Sequence, residues 1–246
     1  LGLLYSCPQK FKYRLENPKA PTDAMKWGTA CHTAVLEPEV LSTNYAVAPE
    51  HCIDGRTKKP RLLDNKGLKG WTEFVEAAGG RDPLLYSEYQ ELLQIKTGVH
   101  SHPDMKKLFQ AEGINEGEIF WEENGVKCKG RIDRYLTELN VIIDYKTSND
   151  IGLDKFYKKV VYDFGYLLQL AHYQAGKKIA LGLDSYPGIL LGAQEQDAPY
   201  ACCVYDVPQE LIDDAHAKRR EILEDYKGYV VSGVWPSYDK GQGIIR

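Results

Sequence analysis

No stretch of this 246-residue chain is apolar for long enough to span a bilayer, and no secretory signal opens it, so membrane and exported classes are set aside. It also lacks an excess of positive charge. A net charge of −4 excludes a protein coated in basic residues. It does not exclude nucleic-acid binding, because a local basic groove suffices and acidic metal ligands lower the total. The six cysteines (Cys7, Cys31, Cys52, Cys128, Cys202, Cys203) include no pair with zinc-ribbon spacing, and the adjacent Cys202 and Cys203 would face opposite sides of a strand. Reduced thiols of a cytoplasmic protein are expected rather than a disulfide framework. Internal repeats and low-complexity tracts are missing too. The first residue is Leu1 rather than Met, so a natural start upstream is expected.

What is present is ordinary for a globular protein: 43% hydrophobic and 27% charged residues. The length suits a single domain over residues 1–246, with a mostly helical part over 1–112, a sheet core over 113–207, and a C-terminal helix and tail over 208–246. Helices are expected over Tyr5 to Leu15, Ala24 to Leu36, Trp71 to Ala78, Ser87 to Val99 (with Ser87 as cap), His102 to Gln110, Phe164 to Leu181 and Gln209 to Val231. Between them, residues 51–70 read as a mobile basic loop carrying Arg56, Lys58, Lys59, Arg61, Lys66 and Lys69. Taken alone, such a cluster is a solvated surface. Strands are expected over Glu116 to Glu123, Lys127 to Leu136, Val141 to Thr147, Gly188 to Gln194 and Tyr200 to Val207, with a hairpin turn at Glu123-Asn124-Gly125. That order gives an α/β fold with a mixed central β-sheet flanked by helices.

The chemistry concentrates in Gly130-Arg131-Ile132-Asp133 and Val141-Ile142-Ile143-Asp144-Tyr145-Lys146-Thr147. Alternation puts Asp144 and Lys146 on one side of a strand. A turn near Thr137 to Asn140 would pair the two strands antiparallel and bring Asp133 towards Asp144. The run Val141-Ile142-Ile143 marks a buried strand, so it ends with charge at the rim of a core, where unpaired charge is costly. A hard divalent cation beside a lysine resolves that cost; a surface salt bridge is the plainer alternative. Desolvation would depress the lysine pKa and suit it to base chemistry.

These residues fall in order with Trp27-Gly28-Thr29-Ala30-Cys31-His32, Leu36-Glu37-Pro38-Glu39 and Gln169-x-x-x-Tyr173. The ordered set, over roughly residues 6 to 240, resembles the PD-(D/E)xK nuclease superfamily and its restriction-endonuclease-like core. Within it, the chain is most similar to the RecB-like exonucleases and to the RecE-type (exodeoxyribonuclease VIII) nuclease domain. The usual upstream proline is replaced by Ile132. Cys7-Pro8-Gln9-Lys10-Phe11 is similar to the first cysteine of related iron–sulfur nucleases, but Trp235 to Arg246 offers no further cysteine, so no cluster is expected.

The resemblance implies a Mg²⁺-dependent exonuclease, with Mn²⁺ as substitute, that digests linear double-stranded DNA from 5′ ends and leaves 3′ single strands. It implies metal ligation by Asp133, Asp144, the Tyr145 carbonyl and His32, with Lys146 stabilising charge or orienting water, and Gln169 and Tyr173 positioning the network or DNA. Glu118 is a candidate ligand for a second metal, in competition with Glu116, Glu122 and Glu123. Arg14, Arg131 and Arg134 are candidates for DNA phosphates, although pairing with nearby acids is the commoner fate of such arginines. A homo-oligomeric ring, expected as a tetramer, a single-strand annealing recombinase as partner, and a phage or prophage origin in a bacterial cytoplasm also follow from the resemblance. Two alternatives stand beside it: a structure-specific or restriction-type endonuclease of the same superfamily, and a non-catalytic DNA-binding module. In His32, Gln169 and Tyr173 the plainer reading is packing.

Overall fold

Turn chemistry and alternating burial build the sheet. The computed structural model describes residues 1–162 and 164–239. Its N-terminal part comprises α1 (Gly2–Ser6), α2 (Pro8–Glu16), α3 (Asp23–Leu36), α4 (Leu41–Asn44), β1 (Tyr45–Val47), β2 (His51–Ile53), β3 (Pro60–Leu62), α5 (Lys69–Ala77), β4 (Asp82–Leu84), α6 (Tyr86–Ser101) and α7 (Pro103–Gln110). The sheet follows: β5 (Ile114–Glu123), β6 (Val126–Leu136) and β7 (Val141–Ser148), then α8 (Lys158–Tyr162), α9 (Phe164–Leu181), β8 (Gly188–Glu195), β9 (Cys202–Asp206) and α10 (Gln209–Ser232). Asn124 and Gly125, both with positive φ, close the β5–β6 hairpin as a two-residue turn requires.

The strands lie in the order β5-β6-β7-β8-β9, antiparallel throughout except for the parallel β7–β8 pair that α8 and α9 connect. Helices cover both faces of this mixed sheet. Ile119, Trp121, Ile132, Ile142, Ile189 and Leu191 pack towards Leu170 and Ala171 of α9 and Ile212 and Ala215 of α10. On the other face Tyr145 packs with Ala34 and Val35 of α3, Leu92, Ile95 and Val99 of α6, and Met105. Arg219, 2% exposed, fixes α10 to the end of β5 through a two-pronged bond to Glu123 at 2.6 and 2.7 Å. Among the described residues no helix is long and apolar enough to cross a membrane.

Four expectations are corrected. The helix expected over Tyr5 to Leu15 is two helices, because Cys7 is extended (φ −156°), as a residue before proline prefers, and Pro8 starts a new helix. Ser87 is not the cap of α6: Leu85 is, with the Glu88 carboxylate accepting its N–H at 2.8 Å. Residues 51–62 form a two-stranded antiparallel hairpin instead of an open loop. Tyr200, at φ 57°, lies outside the strand in which it was expected.

Candidate active site

The site forms where two paired strands part. β6 and β7 pair only over Arg134–Ile143, Tyr135–Ile142 and Leu136–Val141. Beyond that point the Tyr145 N–H is donated to the Asp133 Oδ2 carboxylate oxygen at 2.8 Å. A carboxylate thus takes the place of a ladder carbonyl and is fixed in the fork between the strands. Alternation sends Asp133 towards α3 and sends Asp144 and Lys146 towards α9. At the fork they still meet: Lys146 Nζ lies 2.8 Å from Asp144 Oδ2 and 3.7 Å from Asp133 Oδ2.

From α3, His32 Nδ1 reaches to 3.7 Å from Asp133 Oδ1 and 3.5 Å from Glu116 Oε1. The His32 ring meets the Tyr145 ring edge-on at 5.1 Å, and the buried Tyr145 hydroxyl is donated to the side-chain oxygen of Gln194. From α9, the Tyr166 ring lies under the Lys146 ammonium, 5.4 Å from ring centre to Nζ. Gln169 Nε2 donates to the Tyr173 hydroxyl at 2.7 Å, and the Tyr173 ring covers Gly130.

Two buried acids and a half-buried lysine set the electrostatics. Burial, and next the Asp144 charge, push the Asp133 carboxyl up to about 6 against the pull of Lys146, His32 and the Tyr145 amide. Burial alone would lower the Lys146 pKa, but the Asp144 and Asp133 carboxylates outweigh it and raise it. The expected depressed lysine is therefore corrected: without a metal, Lys146 is a held cation. Asp144 is 1% exposed, and its Oδ1 has no hydrogen-bond partner among the described residues. A buried carboxylate oxygen left this way is costly, and a cation is what would satisfy it.

One atom from each of His32, Glu116 and Asp133 lies within 4.8 Å of the others. This cluster of two carboxylates and an imidazole fits a hard divalent cation, and Asp144, outside it, is tied to Asp133 through the Lys146 ammonium. The Tyr145 carbonyl, implied as a further ligand, lies 3.5 Å from Lys146 Nζ.

Glu118 does not reach this cluster. It is exposed and stands opposite Arg131, whereas Glu116 stands at the position opposite Asp133. The reason is register: Glu116 faces Asp133 across the ladder and Glu118 lies one pleat repeat further along β5, while the backbone at Glu116 is left-handed (φ 47°). Arg134 is also reassigned. It is 4% exposed and donates to the Leu108 carbonyl at 3.0 Å, the Ala111 carbonyl and the Asn115 side-chain oxygen. Those bonds tie α7 to the sheet, and burial keeps the guanidinium away from the surface. Arg131 is exposed at the rim with its Nε 2.9 Å from Glu116 Oε2, and Arg14 is exposed on α2. Tyr166 was missed as a site residue. Its spacing from Gln169 and Tyr173, three and seven residues on one helix face, was the available signal.

The family model that matches residues 3–243 is described as a PDDEXK-like domain of unknown function (DUF3799). No curated protein matches the chain. Among solved structures, a proposed exonuclease from Eubacterium rectale superposes with a TM-score of 0.59 at 12% identity, covering 98% of this chain and 82% of that one. That likeness concerns the fold. A second structure, SSO0001, covers 82% of this chain and 85% of its own at 16% identity, and its TM-score of 0.30 carries no argument. With the match spanning nearly the whole chain, the protein belongs to the PDDEXK-like domain family and so to the PD-(D/E)xK nucleases.

Proposed function

We propose that this nuclease is a divalent-metal-dependent exonuclease on linear double-stranded DNA, acting from 5′ ends and leaving 3′ single-stranded tails for recombination. The observation that carries the reading is the convergence of His32, Glu116 and Asp133 on one side of the fork with Asp144 and Lys146 on the other. A histidine from an N-terminal helix beside the metal carboxylates is the feature that the exonuclease resemblance rests on. The proposed exonuclease among the solved structures agrees with it.

Glu116, Asp133, Asp144 and His32 would hold Mg²⁺ or Mn²⁺, which when bound supplies an activated water and charge stabilisation on the phosphate. Lys146 would offer its ammonium to the negative charge that grows on the phosphate oxygens. Tyr166 holds that ammonium in place, and Gln169 and Tyr173 order the wall beside it. Arg131 would meet a backbone phosphate at the rim.

The same reading extends to a ring-shaped tetramer, a single-strand annealing partner and a phage or prophage origin in a bacterial cytoplasm. A monomer mass by light scattering at working concentration would remove the ring from it. The direct test uses linear duplex labelled at the 5′ or the 3′ end, incubated with Mg²⁺ or EDTA. Early release of 5′ label with Mg²⁺ is expected. Early release of 3′ label would reverse the polarity, and cutting of covalently closed circles would make the protein an endonuclease.

A further inference from the structure

The hairpin of β2 and β3 is a basic arm whose charge the site chemistry does not use. Of its two acids, Glu50 stands at the base, 3.8 Å from His51, and Asp54 is engaged within the turn. Asp54 accepts the N–H groups of Arg56 and Thr57 at 3.0 and 2.7 Å and the Thr57 hydroxyl at 2.9 Å, and lies 3.7 Å from Arg61. Those bonds, the Thr57 amide first, hold the half-buried Asp54 carboxyl below its usual range and lock the turn. Arg56, Lys58 and Lys59 are left exposed at the tip, and among the described residues no carboxylate pairs with them. Three cations within four residues, held together by a fixed turn, repel one another unless an anion covers them.

The base of the arm is firmly seated. Cys52 and Leu63 pack against Trp71 of α5. A Cβ on Gly70 would stand only 2.6 Å from that of Cys52, so only glycine allows this approach. Trp71 and Lys66 then share a cavity of about 410 Å³ with Trp27 and Ala30 of α3. The base of the arm is thus joined through Trp71 to α3, the helix that carries His32.

We infer that the 54–59 tip of this arm is a DNA-backbone contact, in which Arg56, Lys58 and Lys59 grip phosphates of the duplex next to the active site; this rests on the nuclease reading above. As a phosphate contact it is independent of base sequence.

The test is equilibrium binding of a short blunt duplex, without divalent metal, across a range of salt concentrations. In wild type the logarithm of the affinity falls steeply with the logarithm of salt. For the triple variant Arg56→Gln, Lys58→Gln, Lys59→Gln the slope should become shallower by about 2 to 3, and for Lys59→Gln alone by about 0.9. Hydrolysis of the small diester bis(p-nitrophenyl) phosphate, which cannot reach the arm, should be unchanged in both. Equal slopes in wild type and both variants, with DNA still cleaved by wild type, would overturn the arm and spare the nuclease. A wild type that neither binds duplex nor cleaves it would remove both.

Discussion

Asp133 is the residue on which the metal-free site is least at ease. Burial and the Asp144 charge raise it to about 6. An acid whose folded pKa lies above its unfolded value contributes stability that is fully present below the ordinary aspartate range and is lost as pH rises through the folded value. In EDTA, calorimetry should therefore give a lower Tm at pH 7 than at pH 5, and Asp144→Asn should flatten the difference by removing the neighbouring charge. Equal pH dependence in wild type and variant would mean that Asp144 does not burden Asp133. Because a metal needs the ionised carboxylate, its affinity should fall as pH drops below about 6. A second prediction separates two acids of one strand. Glu116→Gln should weaken divalent-metal binding about 10- to 100-fold by calorimetric titration, and Glu118→Gln should leave it unchanged. Asp133, Asp144 and Lys146 could be found in the sequence because spacing and alternation suffice. The choice of Glu116 over Glu118 could not. It depends on the register of β5 against β6, which two alternating glutamates on one strand do not announce. Arg134 was equally hidden, since its partners Leu108 and Ala111 belong to a helix end that only tertiary packing brings near.

At the level of elements, α9 has to lie close on β5 and β6 for Tyr166, Gln169 and Tyr173 to reach the fork. Gly176 makes that approach possible: a Cβ there would stand 2.6 Å from Ile119 and 2.7 Å from Trp121, both buried. Gly176→Ala should cost about 1–3 kcal/mol in urea denaturation despite the better helix propensity of alanine. A neutral or stabilising effect would show that the Ile119 and Trp121 side chains can give way. The strands were the most legible elements. Apolar alternation and the Asn124-Gly125 turn fix β5 and β6, and the Val141-Ile142-Ile143 run fixes β7. The 51–62 hairpin was not legible. Its strands are three residues long and mostly exposed, so no apolar period marks them, and their order comes from Asp54 bonding its own turn.

For the molecule as a whole, an acidic total and a DNA substrate are compatible because charge is distributed unevenly. Acids are buried in the fork, where a cation would neutralise them, and cations stand exposed on the arm that packs on α5. The fold class and the PD-(D/E)xK family followed from the order of motifs along the chain. The direction of digestion and the assembly did not, since neither is a property of residue spacing within one chain. The central claim is that the fork holds a metal-dependent nuclease centre. It is tested most directly by following digestion of linear duplex DNA with Mg²⁺ for wild type and Asp144→Asn, with melting curves for both. The account predicts Mg²⁺-dependent digestion by wild type, a loss of about a thousandfold in the variant, and a cooperative melting transition in both, so that the loss is one of chemistry and not of folding. Digestion by Asp144→Asn at the wild-type rate would contradict it.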